Sequence, residues 1–293
     1  MANDYACELI EDGVRAERLG ALDRAFTCFA AATQEAEEAD TLADALTRIA
    51  DAFRARADWE SALEAARRAQ VTAREANLDD RLACARVAEG NVLICRGDYA
   101  EAKHLFQDVL ASTTDPRLRG IALQNIGSIL AQQGQLGAAE RAFSESYGCF
   151  QRAGYRRGEA IALNNYGRVA LDRGTADLAE GLLSQGLAAA REVEDEELIA
   201  LVTLNLAEAL VCRGEHHGAC DLVSGAMGHF VESGNRWRQV ECLRLIGSIN
   251  ERAGDRDAAA RCYERGLALA EEIGAVAEIR SLSDCITRAR ARR

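Results

Sequence analysis

One arrangement, repeated seven times, leaves this chain few ways to fold. A residue able to close a tight turn stands at Gly20, Ala57, Gly97, Gly134, Gly174, Gly214 and Gly254, at spacings of 37, 40, 37, 40, 40 and 40 residues. Five positions after each stands an alanine: Ala25, Ala62, Ala102, Ala139, Ala179, Ala219 and Ala259. Seven positions before each stands a residue with almost no side chain: Gly13, Ala50, Gly90, Gly127, Gly167, Ala207 and Gly247. About one residue in five is alanine, so seven alanines in one phase would arise by chance with a probability on the order of 10⁻⁵. A period of this length marks a stack of equivalent units, each burying its apolar face on its neighbours.

Within the period the pattern reads helix, turn, helix. Around Gly134 the first helix is expected over 116–133, with Asp115 capping it and Pro116 at the first helical position, where a missing N–H costs nothing. Ile121, Leu123, Ile126, Ile129 and Leu130 give it one buried stripe. Gly134 ends it in a left-handed cap. The second helix, over 136–153, buries Ala139, Phe143 and Ser146. A glycine within a helix costs about 0.5–1 kcal/mol against alanine. The small residue before the turn therefore needs a packing reason, and the reading is that the two helices cross there with the alanine after the turn facing it. A larger residue nine after the turn is expected to fill the space between units: Phe29, Phe106, Phe143, Leu183, Val223 and Tyr263, with Ala66 the weak copy.

The units are then 4–39, 41–76, 79–114, 116–153, 155–193, 195–233 and 235–273, in one domain spanning 1–293. A final helix over 275–290, with Val276, Ile279, Leu282 and Ile286 on one side, would cap the stack. Its basic end, Arg288, Arg290, Arg292 and Arg293, reads as a solvated tail at the favourable end of the helix dipole. The fold class expected is all-α, a right-handed solenoid.

Composition excludes several functions. The net charge of −12 opposes a nucleic-acid surface, which needs a cationic field, and an anionic membrane likewise. The 34 arginines against one lysine, Lys103, fit the coding bias of a GC-rich, bacterial genome. No apolar run is long enough to span a membrane, and the first residues lack a signal-peptide pattern. Ten cysteines are scattered without a disulfide framework. Several share a phase of the repeat and read as small interior residues, which points to a reducing cytoplasm.

The small residue, turn glycine, alanine and aromatic, in antiparallel helix pairs, resemble the tetratricopeptide repeat over nearly the whole chain. The unit of about 40 residues is similar to the long repeats of kinesin light chains, LGN-type spindle adaptors and bacterial peptide-sensing regulators. The family's Trp position holds Leu9, Leu46, Leu123, Leu163 and Leu243, which fill the same apolar slot.

Two residues before the small residue come Asn125, Asn165 and Asn205 in consecutive units, on the side of the first helix expected to face the concave surface. An amide carries both donor and acceptor, as a peptide backbone does. The resemblance implies that these asparagines hold the backbone of an extended peptide. The alternative is that they bond neighbouring helices. Gln124, Asn164, Ser128, Arg168, Gln132 and Asp172 add polar neighbours. Arg168 is placed either to take a partner's carboxylate or to pair with Glu208, one repeat later. The first two units present Glu11, Arg48, Asp51 and Arg54 instead, which centres binding on the fourth to sixth units. The clamp of lysines and arginines by which chaperone-binding members hold an acidic tail is not present as a set. Cys212, His216, His217 and Cys220 have metal-ligating side chains but match no standard zinc spacing.

No nucleophile–base pair, phosphate loop or carboxylate pair stands out. The expectation is a non-enzymatic adaptor that holds an extended peptide segment of another protein, with no cofactor, metal, nucleic acid or membrane partner. The alternatives are a peptide- or small-ligand-sensing regulator, which in the family carries an extra N-terminal module, and a self-assembling homo-oligomer. As exposed amides, Asn125, Asn165 and Asn205 should be replaceable by alanine at a cost within about 1–2 kcal/mol.

Overall fold

The computed structural model describes residues 2–291 and contains fifteen α-helices among them, with no strand. They are α1 (Ala2–Arg18), α2 (Leu22–Glu35), α3 (Ala39–Ala55), α4 (Trp59–Glu75), α5 (Asp79–Arg96), α6 (Tyr99–Ser112), α7 (Pro116–Gln132), α8 (Leu136–Ala153), α9 (Arg156–Asp172), α10 (Ala176–Glu192), α11 (Glu196–Arg213), α12 (His216–Glu232), α13 (Arg236–Arg252), α14 (Arg256–Glu272) and α15 (Val276–Ala291). Each odd-numbered helix packs on the even-numbered helix that follows it, making seven pairs, with α15 left over. None of the described helices is long and apolar enough to cross a membrane. The helices group into two compact halves, Met1–Ala153 and Gly154–Arg293.

The turns follow from the backbone. Gly97 and Gly214 adopt left-handed φ angles of 85° and 87°, and Ala57 takes the same position at φ 58° despite its side chain. At α7, the Asp115 carboxylate accepts from the Arg117 N–H at 2.8 Å, and Pro116 opens the helix. The unequal spacing has a local cause. The even-numbered helices α2 and α6 have 14 residues each, where α4, α10, α12 and α14 have 17. Both short helices run into an extended residue, Ala36 or Thr113, and these are the repeats that precede the two spacings of 37. One missing helical turn accounts for the three missing residues.

The small residue before the turn has a different partner from the one its spacing implied. A Cβ placed on Gly127 would lie 2.7 Å from Phe143, one on Gly90 2.6 Å from Phe106, and one on Gly167 2.6 Å from Leu183. The residue nine after the turn, not the alanine five after it, occupies the space above the glycine, and it does so within one repeat. Gly13 faces Phe29 and Gly247 faces Tyr263 in the same way. Where the small residue is alanine the partner shrinks: Ala50 shares a core with Ala66, and Ala207 with Val223. Ala66 is thus the complement of a methyl group one helix away.

Three other expectations need correction. Val276 is 60% exposed, so α15 seats itself through Leu282, with Ile279 and Ile286 part-buried. Only Cys149 and Cys242 of the ten cysteines are buried, and Cys7, Cys95 and Cys212 lie exposed. The basic end is paired while staying exposed: Arg288, with 54% of its side chain exposed, bonds Glu251 at 3.2 Å, and Arg290, with 65% exposed, bonds Glu264. Arg292 and Arg293 lie outside the described residues.

Candidate functional site

In the C-terminal half, α9 and α11 touch directly, and a chain of amides runs across their contact. Asn205 Nδ2 donates to Asn164 Oδ1 at 2.8 Å, and Asn164 Nδ2 donates to Asn165 Oδ1 at 3.2 Å. Asn164 and Asn205 are buried, at 4% and 6% exposure, while Asn165 is half-buried. The expectation of an exposed amide therefore fails at Asn205, which sits in the core beside α9 and bonds a neighbouring helix. The chain has a direction. With Asn165 Oδ1 holding one bond from Asn164, the Nδ2 donors of Asn165 stay open to a ligand.

One turn along α9, Arg168 donates to Asp172 at 2.8 Å and to Glu208 of α11 at 2.5 Å. Burial works against the charge of its guanidinium, but Glu208 and Asp172 more than offset that, and its pKa is raised. Of the two roles open to Arg168, pairing with Glu208 is the one seen, and 41% of its side chain stays exposed beside the amides. Asn125, in the N-terminal half, is half-buried and donates from Nδ2 to the Ile121 carbonyl of its own helix at 3.1 Å. Ser128 donates to the Gln124 carbonyl, Gln124 Oε1 lies 3.5 Å from the buried Ser146 hydroxyl, and Gln132 is exposed.

The odd-numbered helices of the N-terminal half carry a different lining. Helices α3, α5 and α7 wall a groove of about 420 Å³ that includes Thr47, Arg48, Asp51, Arg81, Cys84 and Ile121. Arg81 donates to both oxygens of Asp40, at 2.8 and 2.7 Å, and lies 3.2 Å from Asp44. Its hydrogen bond holds the Asp40 carboxyl below its ordinary value. Desolvation pushes the Asp51 carboxyl up, against Arg54 at 3.1 Å and Arg48. Desolvation raises Glu17 as well, with Asp51 adding to the rise and Arg48 and Arg54 opposing it.

No protein-family model and no curated protein sequence matches the chain. Solved structures do. The apo quorum sensor NprR from B. thuringiensis is similar over 92% of this chain and 77% of its own, at TM-score 0.72 and 15% identity. Apo RapI is similar over 92% of this chain and 98% of its own, at TM-score 0.67 and 14% identity. The Rap conjugation gene regulator of plasmid pLS20, in complex with the Phr* peptide, is similar over 92% of this chain and 74% of its own, at TM-score 0.68 and 17% identity. A tetratricopeptide repeat protein from Parabacteroides merdae is also similar, at TM-score 0.52, 15% identity and 98% of this chain. The fold is that of the tetratricopeptide repeat.

In tetratricopeptide terms, α9 and α11 are A helices, and the amide chain joins two adjacent A helices. Arg81, Asp40 and Asp44 were missed by reading each repeat alone. Their signal was opposite charge one period apart: Arg81 and Asp40 are separated by 41 residues, as Arg168 and Glu208 are by 40. Among the described residues no group of three or more His, Cys, Asp and Glu side chains is arranged to hold a metal. Cys212 and His217 are exposed and Cys220 half-buried. The Nδ1 of His216 is buried without a hydrogen-bond partner.

Proposed function

We propose that this tetratricopeptide chain is a non-enzymatic interaction module that holds an extended segment of a partner protein against its A helices. Asn165 would donate to a backbone carbonyl of that segment, and Arg168, already paired with Asp172 and Glu208, would pack its half-exposed side chain beside it. In the N-terminal half, taken by itself, Asn125 would offer an amide of the same kind. Gln124, Ser128 and Gln132 would supply further polar contacts there. Asn164 and Asn205 would act from behind, by orienting Asn165. The observation that carries this reading is the buried amide chain ending on a half-buried Asn165. Core asparagines lose hydration, and such a network is tolerable only when its members satisfy one another. On this reading the network would orient the Asn165 amide toward the bound segment.

A second reading, a peptide-sensing regulator, draws on the likeness in fold to a quorum sensor and to a Rap regulator bound to a peptide. The same site would serve, with binding coupled to a change elsewhere in the chain.

The test compares wild type with Asn165→Ala/Arg168→Ala in affinity capture from the source lysate, read by mass spectrometry. A protein retained by wild type and lost from the variant, with helicity unchanged by circular dichroism, is the expected result. Identical retained sets would remove the A-helix face from the interaction.

A further inference from the structure

The stripe of α9 that stays half-buried or exposed is Ile161, Asn165, Arg168 and Asp172, at i, i+4, i+7 and i+11. One repeat later α11 carries Leu201, Asn205, Glu208 and Cys212 in the same phase. The two helices touch, so their side chains form rows across the contact. The first row is aliphatic. Ile161 and Leu201 are both half-buried and pack on one hydrophobic cluster that includes Leu183, Leu198 and Val202. The amides follow, and then the ionic row of Arg168 and Glu208. On α13 the aliphatic row ends at Glu241, bonded to Arg238 at 2.6 Å, and the ionic row ends at the neutral Ser248.

The ionic row is closed on itself. Arg168 donates through Nη1 to Glu208 at 2.5 Å and through Nη2 to Asp172 at 2.8 Å. One cation in contact with two anions leaves a net charge of −1 on the three groups. The side chain of Arg168 is 41% exposed, but a carboxylate brought to it would meet two carboxylates already in place. Like charges set so close repel. Ion pairs at a surface add little to folding stability, so the pairing matters more for what the face will bind.

We propose that Glu208 is a specificity-determining residue of this face. By cancelling Arg168, with Asp172, it turns acidic segments away and restricts the A helices of the C-terminal half to an uncharged, aliphatic stretch of a partner's chain. The inference rests on the reading above, in which Asn165 donates to a backbone carbonyl of the bound segment. Ile161 lies one helical turn, about 5.4 Å, along α9 from Asn165, within reach of a side chain that flanks such a carbonyl. Burial of that side chain against Ile161 and Leu201 supplies attraction. The matched ion pairs supply the rejection, which is the repulsive half of specificity.

The experiment selects random peptides displayed on phage against the full chain, Asn165→Ala and Glu208→Gln/Asp172→Asn, each checked for helicity by circular dichroism. Both changes in the double variant are isosteric and leave Arg168 an oxygen to bond, while unmasking its charge. Wild type is expected to select aliphatic sequences poor in Asp and Glu, and Asn165→Ala to lose them. The double variant should select sequences with Asp or Glu at a fixed place, and a synthetic peptide of that kind should bind it at least about tenfold more tightly than wild type. A purely structural Glu208 would weaken every peptide alike and leave their charge unchanged. Selection of no peptide by wild type, or of the same peptides by Asn165→Ala, would remove the A-helix reading and this inference with it. Peptides that depend on Asn165 yet are acidic, or a double variant that selects the wild-type sequences, would leave that reading standing and overturn the inference alone.

Discussion

The two halves share a skeleton and differ in what they place on it. In the N-terminal half the A helices α3 and α5 are tied by Arg81 to Asp40 and Asp44, and the groove beside them holds Arg48 and Asp51, the latter bonded by Arg54. In the C-terminal half the equivalent contact, α9 to α11, is made by Asn164 and Asn205, with one arginine, Arg168, in place of a network. Beneath both linings lies the same pairing of a small residue with a large one: Gly90 with Phe106 in the first half, Gly167 with Leu183 in the second. The backbone geometry of the repeat is set by that internal pair. The A-helix surface is left to vary: ion pairs alone tie α3 to α5, whereas buried amides join α9 to α11 beside the Arg168–Glu208 pair.

The largest expected effect tests the shared part. Phe106 and Leu183 are each fully buried, so Phe106→Ala should cost about 3–5 kcal/mol and Leu183→Ala about 2–5 kcal/mol. Chemical denaturation would measure both. The coupling is the sharper readout. Gly90→Ala puts a methyl group within about 2.6 Å of Phe106 and must displace it. Gly90→Ala with Phe106→Val copies the Ala207–Val223 combination already present, and should be more stable than the sum of the single changes implies. Strict additivity would mean that the two positions do not determine each other, and the common skeleton would lose its explanation.

That pair also shows how far the sequence could be read. The seven-fold recurrence of turn, alanine and small residue specifies helix pairs, because a glycine that recurs in mid-helix costs stability unless the next helix packs into the space it leaves. The partner across the crossing was less legible. Positions five and nine after the turn both recur and, four residues apart, share one face of the B helix, so the pattern alone does not say which of them stands over the glycine. The site was legible in part for a similar reason. Asn165 and Arg168 stand out by residue type and phase. Asn205 has the same phase as Asn165, but Asn164 precedes only Asn165, and it draws the Asn205 amide into the core. No periodic pattern contains that information, since it depends on a neighbour one repeat away that the other copies lack. The ion pairs of the first half were hidden likewise, each needing two residues about 40 positions apart to be read together.

An intermediate effect sharpens the contrast between the linings. Removing Asn205 leaves Asn164 Oδ1 buried without its donor, so Asn205→Ala should cost about 1–3 kcal/mol. Asn125→Ala removes only a bond to the carbonyl of the same helix, which already serves the helical ladder, and should cost less than about 0.5 kcal/mol. If partner capture has been mapped to Asn165, Asn205→Ala should weaken it too while Asn125→Ala weakens it less. Equal stability losses at Asn205 and Asn125 would show that the amide chain is not a network.

The smallest effect belongs to the charged lining, and its sign separates two kinds of carboxyl there. Asp51 and Glu17 have pKa values raised in the folded chain, chiefly by desolvation. A group that binds its proton more tightly when folded adds stability as pH falls through its folded pKa, and loses that contribution as pH rises through it. Asp40 is the opposite case. Its carboxyl is held below the ordinary value of 3.8 by Arg81, so its contribution is present above that value and lost as pH falls through the lower one. Between neutrality and the ordinary carboxylate range only the first kind titrates, and the N-terminal half should gain a little stability on mild acidification. Asp51→Asn should remove much of that gain, whereas Asp40→Asn should leave it intact and instead lower stability at neutral pH. Thermal unfolding followed from pH 7 to about pH 5 decides the matter. A loss of stability over this interval in wild type would mean that Arg48 and Arg54 dominate Asp51 after all, and that the groove is an ion-pair network throughout. A gain would show that desolvation outweighs the two arginines at Asp51.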